Sequence, residues 1–469
     1  MTLDLNRRQL LRATVGTTGL LGLGTNASGA SVDADSHVLR EAGRAVPIVD
    51  ESDVVVCGAG PAGVAAALAA ARAGARTRLI ESHGCLGGIW TAGLLCWILD
   101  TKDKPGILQE IIAAVKARNA GYVNQPGYSV AYDPEIMKLL LEERCTAAGV
   151  KIQLHTQVVS AVTDAGKRLK HVVTESKSGR QAWAGKVFVD ATGDGDLAAH
   201  AGCRFDLGRP ADGVTQPMSM MAILTGIEYD RVKDFVRGRE KDHNQPKKRL
   251  LAEMRKGGFT PSYSRPTLFR IHDNLFCLAA NHEYGYLPTD AAQLTQATLH
   301  ARADIHAGVN ALRSLGGLWR NLRIVATNEQ IGIREGRRIH GRYTVTTDDL
   351  ARGARHDDAI CRVYFNVDVH SPKKTEGTAI ARTKVRTRPY DIPLRALIAH
   401  DVDSLLLAGR CISGDFIAHS SYRVTGSAVA TGQAAGVAAA LAAETNCLPH
   451  HMPFNRVKAT LEDLGNALS

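Results

Sequence analysis

The sequence predicts an α/β fold: a Rossmann-like nucleotide-binding domain with a parallel sheet and an antiparallel meander, interrupted by an inserted α+β substrate domain. Three stretches carry this prediction. Residues 53–81 read as strand, glycine turn, helix and strand ending in an acid; residues 151–190 alternate between turn signals; residues 405–443 form a late segment rich in glycine and alanine. The predicted boundaries are a leader at 1–30, a linker at 31–52, a first nucleotide-binding part at 53–204, a substrate domain at 205–390 and a carboxyl-terminal return at 391–469.

In the first stretch, Val54, Val55 and Val56 suit a buried parallel strand, and Gly58, Gly60 and Gly63 stand at the G-x-G-x-x-G spacing. The first glycine permits a tight turn, the second lets backbone approach a pyrophosphate, and the third lets helix and strand pack closely. The helix amino terminus then offers N–H groups and a partial positive charge to phosphate. Glu81, 18 residues beyond Gly63, ends the second strand where a carboxylate accepts hydrogen bonds from an adenosine ribose. No second fingerprint of this kind occurs, so one nucleotide cofactor is predicted.

Further along, Asp133-Pro134-Glu135 supplies an N-cap, a first-turn proline and an acid, which predicts a helix over Ile136 to Ala148. Lys151 to Val162, Leu169 to Thr174 and Gln181 to Asp190 predict the antiparallel meander, with turns at Ala165-Gly166 and Ser178-Gly179. The last strand opens into Ala191-Thr192-Gly193-Asp194-Gly195-Asp196, a second glycine and acid turn.

The first 30 residues read as an address. Asn6-Arg7-Arg8-Gln9-Leu10-Leu11 matches the twin-arginine pattern, an uncharged stretch from Ala13 to Gly24 follows, and Ser28-Gly29-Ala30 offers small residues for cleavage. That stretch is shorter than the roughly 20 residues needed to span a bilayer. Export of a folded protein by the twin-arginine machinery is therefore predicted, to the periplasm, cell envelope or exterior, with no transmembrane anchor after cleavage. The nine cysteines show no C-x-x-C pair. Neither a dithiol centre nor a zinc knuckle is signalled.

The net charge is +10, of which the leader contributes two, leaving +8. The excess gathers at Lys247-Lys248-Arg249, at Arg334, Arg337, Arg338 and Arg342, and at Arg382, Lys384, Arg386 and Arg388. Such runs are usually a solvated face. No nucleic-acid motif accompanies them, so no nucleic-acid partner is expected, and anionic substrates or an anionic envelope surface fit better. His282-Glu283 and His450-His451 lack a further ligand at useful spacing, so no metal is predicted.

Fingerprint, acid-ending strand, Cys85-Leu86-Gly87-Gly88-Ile89-Trp90-Thr91-Ala92-Gly93, meander and A-T-G-D turn together resemble the flavoprotein fold shared with glutathione reductase. Within it the chain is most similar to the FAD-dependent oxidoreductase family, whose L-G-G-x-x-T-A-G segment and late glycine-rich segment appear here as 86–93 and 405–436, with Ile333 to Gly341 as a middle match. The resemblance spans most of residues 53–443 and implies FAD as the cofactor. It implies that Gly58, Gly60, Ala62 and Gly63 cradle the pyrophosphate, that Glu81 holds the adenosine ribose, and that Val158 meets the adenine. Gly88, Thr91, Gly193 and Asp415 are expected along the pyrophosphate, ribityl chain or ring. The chain departs from the family in one place: Arg410 follows Gly409 where an acid is usual, and the acid arrives at Asp415.

For catalysis, His419, Tyr422 and Arg423 immediately precede a small-residue helix predicted over Ser427 to Ala443, whose amino end is expected to face the flavin. A neutral imidazole accepts a proton while hydride leaves for the flavin, and a guanidinium orients a carboxylate. Arg334, Glu335 and Arg337 are expected to form either a charge network in the substrate domain or interdomain ion pairs. The predicted function is an FAD-dependent dehydrogenase or oxidase acting on a small-molecule substrate, with oxygen, a quinone or a protein as acceptor. The alternatives are an NAD(P)H-dependent flavin reductase or monooxygenase, and a flavin-bearing maturation or binding protein.

Overall fold

The computed structural model describes residues 31–32, 39–41, 43–125, 129–238, 244–381 and 383–465. The predicted leader lies outside the described residues, as does Arg382. The chain divides into Met1–Val46 and Pro47–Ser469. In the first unit, Ser31–Val32 pairs antiparallel with Leu39–Arg40.

The principal elements of the second unit are β1 (Ile48–Cys57), α1 (Pro61–Arg72), β2 (Thr77–Ile80), α2 (Pro134–Ala147), β3 (Lys151–Gln153), β4 (Gln157–Thr163), β5 (Leu169–Ser176) and β6 (Gly179–Asp190). There follow β7 (Met221–Thr225), α3 (Gln245–Lys256), β8 (Thr267–His272), β9 (Leu275–Ala279), α4 (Ala291–Ser314) and β10 (Arg323–Thr327). The chain ends with β11 (Leu405–Leu407), α5 (Phe416–Tyr422) and α6 (Thr425–Glu444) before a short final helix.

A parallel sheet runs β3-β2-β1-β6, with Val54 opposite both Thr77 and Val187. The long β6 serves two partners on its other side: its first half pairs antiparallel with β5, and its end pairs parallel with β11. One strand thereby joins the predicted meander to the Rossmann-like sheet. Two boundaries differ from the sequence reading. β1 begins inside the predicted linker, because Ile48 already pairs with Ala182. The single strand expected over 151–162 breaks at His155, which holds a positive φ of 52°, so that Lys151–Gln153 joins the parallel sheet and Gln157 starts the meander.

Helix α2 begins as its cap predicts, the Asp133 carboxylate accepting from the Glu135 N–H at 2.8 Å. Helix α6 meets the length and apolarity of a membrane span, but 94% of its apolar window is buried. It is a core helix, laid against α1 at backbone contact: a Cβ at Gly432 would stand 2.0 Å from the Ala62 carbonyl oxygen, and one at Gly436 2.1 Å from that of Ala66. Small residues are what this approach requires.

The inserted region is organised by a second antiparallel sheet, β8-β9-β7-β10. Period-two alternation divides its faces. Met220, Ala222, Leu224, Phe276 and Leu278 pack toward α4 in a core of their own, whereas Met221, Ile223, Phe269 and Cys277 join the core of the nucleotide-binding sheet. The second face is the one that reaches the site described next. All nine cysteines are free thiols, seven of them buried.

Candidate active site

The strand β1 turns into α1 through Gly58, whose φ of +91° and proximity to Ala191, with the carbonyl oxygen 2.4 Å from an added Cβ, exclude a side chain. Gly63 is excluded for a different reason: its Cβ would lie 1.8 Å from the Gly58 carbonyl oxygen. Gly60 differs from both, since nothing lies within 4 Å of a Cβ there. It opens on a cavity of about 870 Å³, lined at this end by Gly58, Gly60, Ala62, Glu81, Gly88, Val158 and Gly193. Glu81 is nearly fully buried and set in place by three donors, the Ala59 N–H at 2.6 Å, the His83 N–H at 2.9 Å and the Ser82 hydroxyl at 3.0 Å.

At the other side of the same cavity stand Val424, Thr425 and Ala428, the first turn of α6. The amino end of that helix therefore faces the cavity, and among the described residues the buried Thr425 hydroxyl has no hydrogen-bond partner. A glycine turn open to the cavity, two helix amino termini, a fixed carboxylate and an unpaired hydroxyl are the donor and acceptor set that a dinucleotide flavin needs. The residues present fit FAD.

Three expected contacts move. Gly63 is absent from the cavity wall and acts by close packing. The Thr91 hydroxyl donates to the Leu86 carbonyl at 2.5 Å, which holds the Gly87-Gly88 turn. Asp415 caps α5, accepting from the Ala418 N–H at 2.7 Å and from the Thr347 hydroxyl at 2.8 Å, so its carboxylate is used inside the protein. The family departure at Arg410 finds its reason here. Its guanidinium lines the cavity, donates to the Gly193 carbonyl at 2.9 Å and pairs with Asp194 at 2.7 Å, which clips the end of β11 to the A-T-G-D turn.

The rest of the cavity is a chamber walled by Trp97, Met221 and Phe269 and bearing Arg237, Lys247, Tyr263, Arg334, Asp368, His370 and Arg423. Of the three predicted catalytic residues only Arg423 is present. It donates to the backbone carbonyls of Asp368 at 2.6 Å and Arg334 at 3.1 Å. His419 and Tyr422 stack edge-on at 5.6 Å inside α5 and are essentially fully buried behind the wall, and the Tyr422 hydroxyl donates to the Ile412 carbonyl. A seven-residue helix at i, i+3 spacing turns both rings toward the core and leaves Arg423, its C-cap, at the cavity. A catalytic contact by His419 or Tyr422 is thereby corrected.

The expected charge network also divides. Arg334 donates to the Pro217 carbonyl at 2.6 Å and the Ser219 hydroxyl at 2.7 Å, Glu335 forms a buried pair with Arg338, and Arg337 pairs with Asp196. A chain of polar contacts that the sequence reading missed runs away from the chamber. Asp368 Oδ2 lies 3.3 Å from His370 Nε2, His370 Nδ1 lies 2.9 Å from His282 Nε2, and His282 Nδ1 lies 2.9 Å from the Tyr284 hydroxyl. Tyr263 stacks on His282 at 4.3 Å. Thus His282, considered above only as a metal ligand, binds another imidazole.

Burial sets the chemistry of these groups. It lowers Lys247 to about 8, assisted by Arg237 and Arg265. Burial and the neighbouring Arg423 lower Arg334 to about 10, and burial with Arg334 lowers His370 to about 4. Burial and Arg334 likewise hold His282 well below its usual value, so both imidazoles favour the neutral form. Burial pushes Asp368 upward, but the hydrogen bond from His370 and the charges of Arg423 and Arg334 act the other way and hold the carboxyl below its usual range.

Among solved structures, the chain is similar to a geranylgeranyl bacteriochlorophyll reductase-like protein from Thermoplasma acidophilum, at 11% identity over 89% of this chain and 84% of that one, with a TM-score of 0.44. It is similar to the flavin-dependent brominase Bmp2 at 12% identity, over 88% and 82% of the two chains, with a TM-score of 0.46. The myxobacterial chondrochloren halogenase CndH matches at 13% identity over 89% and 78%, with a TM-score of 0.41. The family model described as FAD dependent oxidoreductase matches residues 53–461, and the chain belongs to that family.

Proposed function

We propose that this FAD-dependent oxidoreductase oxidises a small anionic organic substrate, in an FAD-binding domain arranged as in glutathione reductase. The observation that carries the substrate class is the charge of the chamber: Arg237, Lys247, Arg334 and Arg423 line it against a single carboxylate on that side, Asp368. A cleft of one sign between apolar walls concentrates ligands of the opposite sign. When bound, FAD accepts a hydride at N5. The protein's own part is to orient and desolvate: the guanidinium groups of Arg334 and Arg423 fix an acid group, and Trp97, Met221 and Phe269 exclude water around the reacting carbon. Anaerobic mixing with 2-hydroxy acids, amino acids, their neutral amides and NAD(P)H tests this reading. Bleaching of the flavin by an acid but not by its amide is expected; bleaching by the amides alone contradicts the anionic substrate, and bleaching by NAD(P)H alone supports the reductase alternative.

Arg7, Arg8 and the following uncharged stretch support export through the twin-arginine machinery, a route suited to a protein that takes up its cofactor before translocation. The double change Arg7→Lys, Arg8→Lys is expected to hold the precursor in the cytoplasm in a fractionation assay. Unchanged export of that variant contradicts the route.

A further inference from the structure

Taking a hydride from a carbon that bears a hydroxyl or amine also requires a proton acceptor, and the cavity wall offers four carboxylates: Glu81, Asp194, Asp196 and Asp368. Three are committed. Glu81 accepts from three donors at the fingerprint, Asp194 is paired with Arg410 at 2.7 Å, and Asp196 with Arg337 at 2.8 Å. Asp368 is the one held by the longest contacts, with His370 at 3.3 Å and Arg423 at 3.9 Å. It is also the one that stands among the chamber's cations.

We propose that Asp368 is the catalytic base of this site, that an anionic substrate activates it by engaging Arg334 and Arg423, and that His370, His282 and Tyr284 are its positioning residues. The proposal rests on the anionic-substrate reading above. With both imidazoles neutral and Asp368 ionised, one hydrogen-bond direction satisfies every link. The Tyr284 hydroxyl donates to His282 Nδ1, His282 Nε2–H to His370 Nδ1, and His370 Nε2–H to Asp368 Oδ2. That direction fixes the tautomer of each ring and aims the carboxylate. The backbone is pinned as well: the Asp368 N–H donates to the Ser420 carbonyl at 3.0 Å, and Gln216 Oε1 accepts from the His370 N–H at 2.9 Å and from Arg423 at 3.2 Å.

The charged and titratable groups around Asp368 are Arg334, Arg423 and His370, with Lys247 and Tyr263 beyond them. Without substrate they keep its carboxyl too acidic to be an effective base. An acid group seated on the two guanidinium groups neutralises part of that field, and Asp368 regains basicity when a substrate is present. The bond changes balance as a two-electron oxidation. The C–H bond breaks and its electron pair leaves with the hydrogen as hydride to the bound cofactor, which is reduced. The O–H or N–H bond breaks, its pair forms the new C=O or C=N bond, and its proton goes to the Asp368 carboxylate.

Asp368→Asn separates binding from chemistry with opposite signs. Removing a like charge from the chamber is expected to tighten binding of benzoate, read from the visible spectrum of the flavoprotein, by about fivefold. The same variant should reduce its flavin at least about 100-fold more slowly with the acid that bleaches the wild type, at unchanged flavin content. His282→Phe should move the acid limb of the reduction rate to higher pH, because the chain no longer stabilises the ionised carboxylate, and His282→Gln, which both accepts and donates, should restore it. A purely structural role would lower flavin content and leave that limb in place. Wild-type reduction rates in Asp368→Asn overturn the base alone. A panel in which no acid bleaches the flavin sinks the functional reading and the base with it.

Discussion

Gly60→Ala is expected to yield a folded protein that no longer retains flavin. Gly60 adopts φ −65° and ψ −175°, an extended conformation open to any residue, and a Cβ there touches nothing in the protein. The added methyl projects into the space where the fingerprint admits a pyrophosphate, so its cost falls on the cofactor, a loss of at least about tenfold in FAD affinity, or about 1.4 kcal/mol. Flavin content after purification and melting temperature with and without added FAD check this. Gly63→Ala is the contrast. Its Cβ would overlap the Gly58 carbonyl at 1.8 Å, so that variant should lose stability by about 3 kcal/mol or more before cofactor is considered. Should Gly60→Ala keep full flavin content, the cofactor does not lie on this turn.

Lys247→Met should weaken the preference of the chamber for anions, with Arg237, Arg334 and Arg423 still in place, while making the protein more stable. Lys247 lines the cavity beside Arg237 and Arg265, and no hydrogen bond or ion pair is made to its ammonium among the described residues. Holding it there is costly, and an apolar chain of similar length relieves that cost by about 1 kcal/mol. Its use is in binding. Loss of a charge-assisted hydrogen bond should weaken benzoate by about 10- to 100-fold and leave neutral benzamide unchanged. The pH dependence has a definite sign. Burial lowers Lys247 to about 8, with Arg237 and Arg265 adding to the effect and Asp368 opposing it. Benzoate, ionised throughout, should bind fully below pH 8 and lose affinity as pH rises through it, and Lys247→Met should remove that limb. A wild-type benzoate affinity that is flat across pH 7 to 9 speaks against Lys247 as a partner of the anion beside Arg334 and Arg423.

The cofactor half was legible because its signals are local. The Gly58 turn, the α2 cap at Asp133 and the strands feeding the A-T-G-D turn each depend on neighbours in sequence. Thr91 and Asp415 were misplaced because a hydroxyl or carboxylate next to a glycine turn serves equally well as an internal hydrogen-bond partner, and only tertiary position distinguishes the two uses. The chamber was harder, yet not silent. Lys247-Lys248-Arg249 reads as a solvated run, but Lys247 shares one helix face with Leu250 and Met254, at i, i+3 and i+7, and both are fully buried on α3. That stripe points Lys247 inward while Lys248 and Arg249 stay exposed. Asp368 and His370 likewise alternate with Val367 and Val369, which puts the two polar side chains on one side of an extended segment. What no pattern showed was the meeting of His370 with His282, since that depends on how the inserted sheet sits against the later chain.

The central claim is that one cavity joins the FAD cradle to a cationic substrate chamber. A visible spectral titration of the purified flavoprotein with benzoate and benzamide tests it most directly. The account predicts a saturable shift of the flavin band by benzoate, with benzamide at least about tenfold weaker. Equal responses to the two ligands, or a flavin band that neither disturbs, would contradict it.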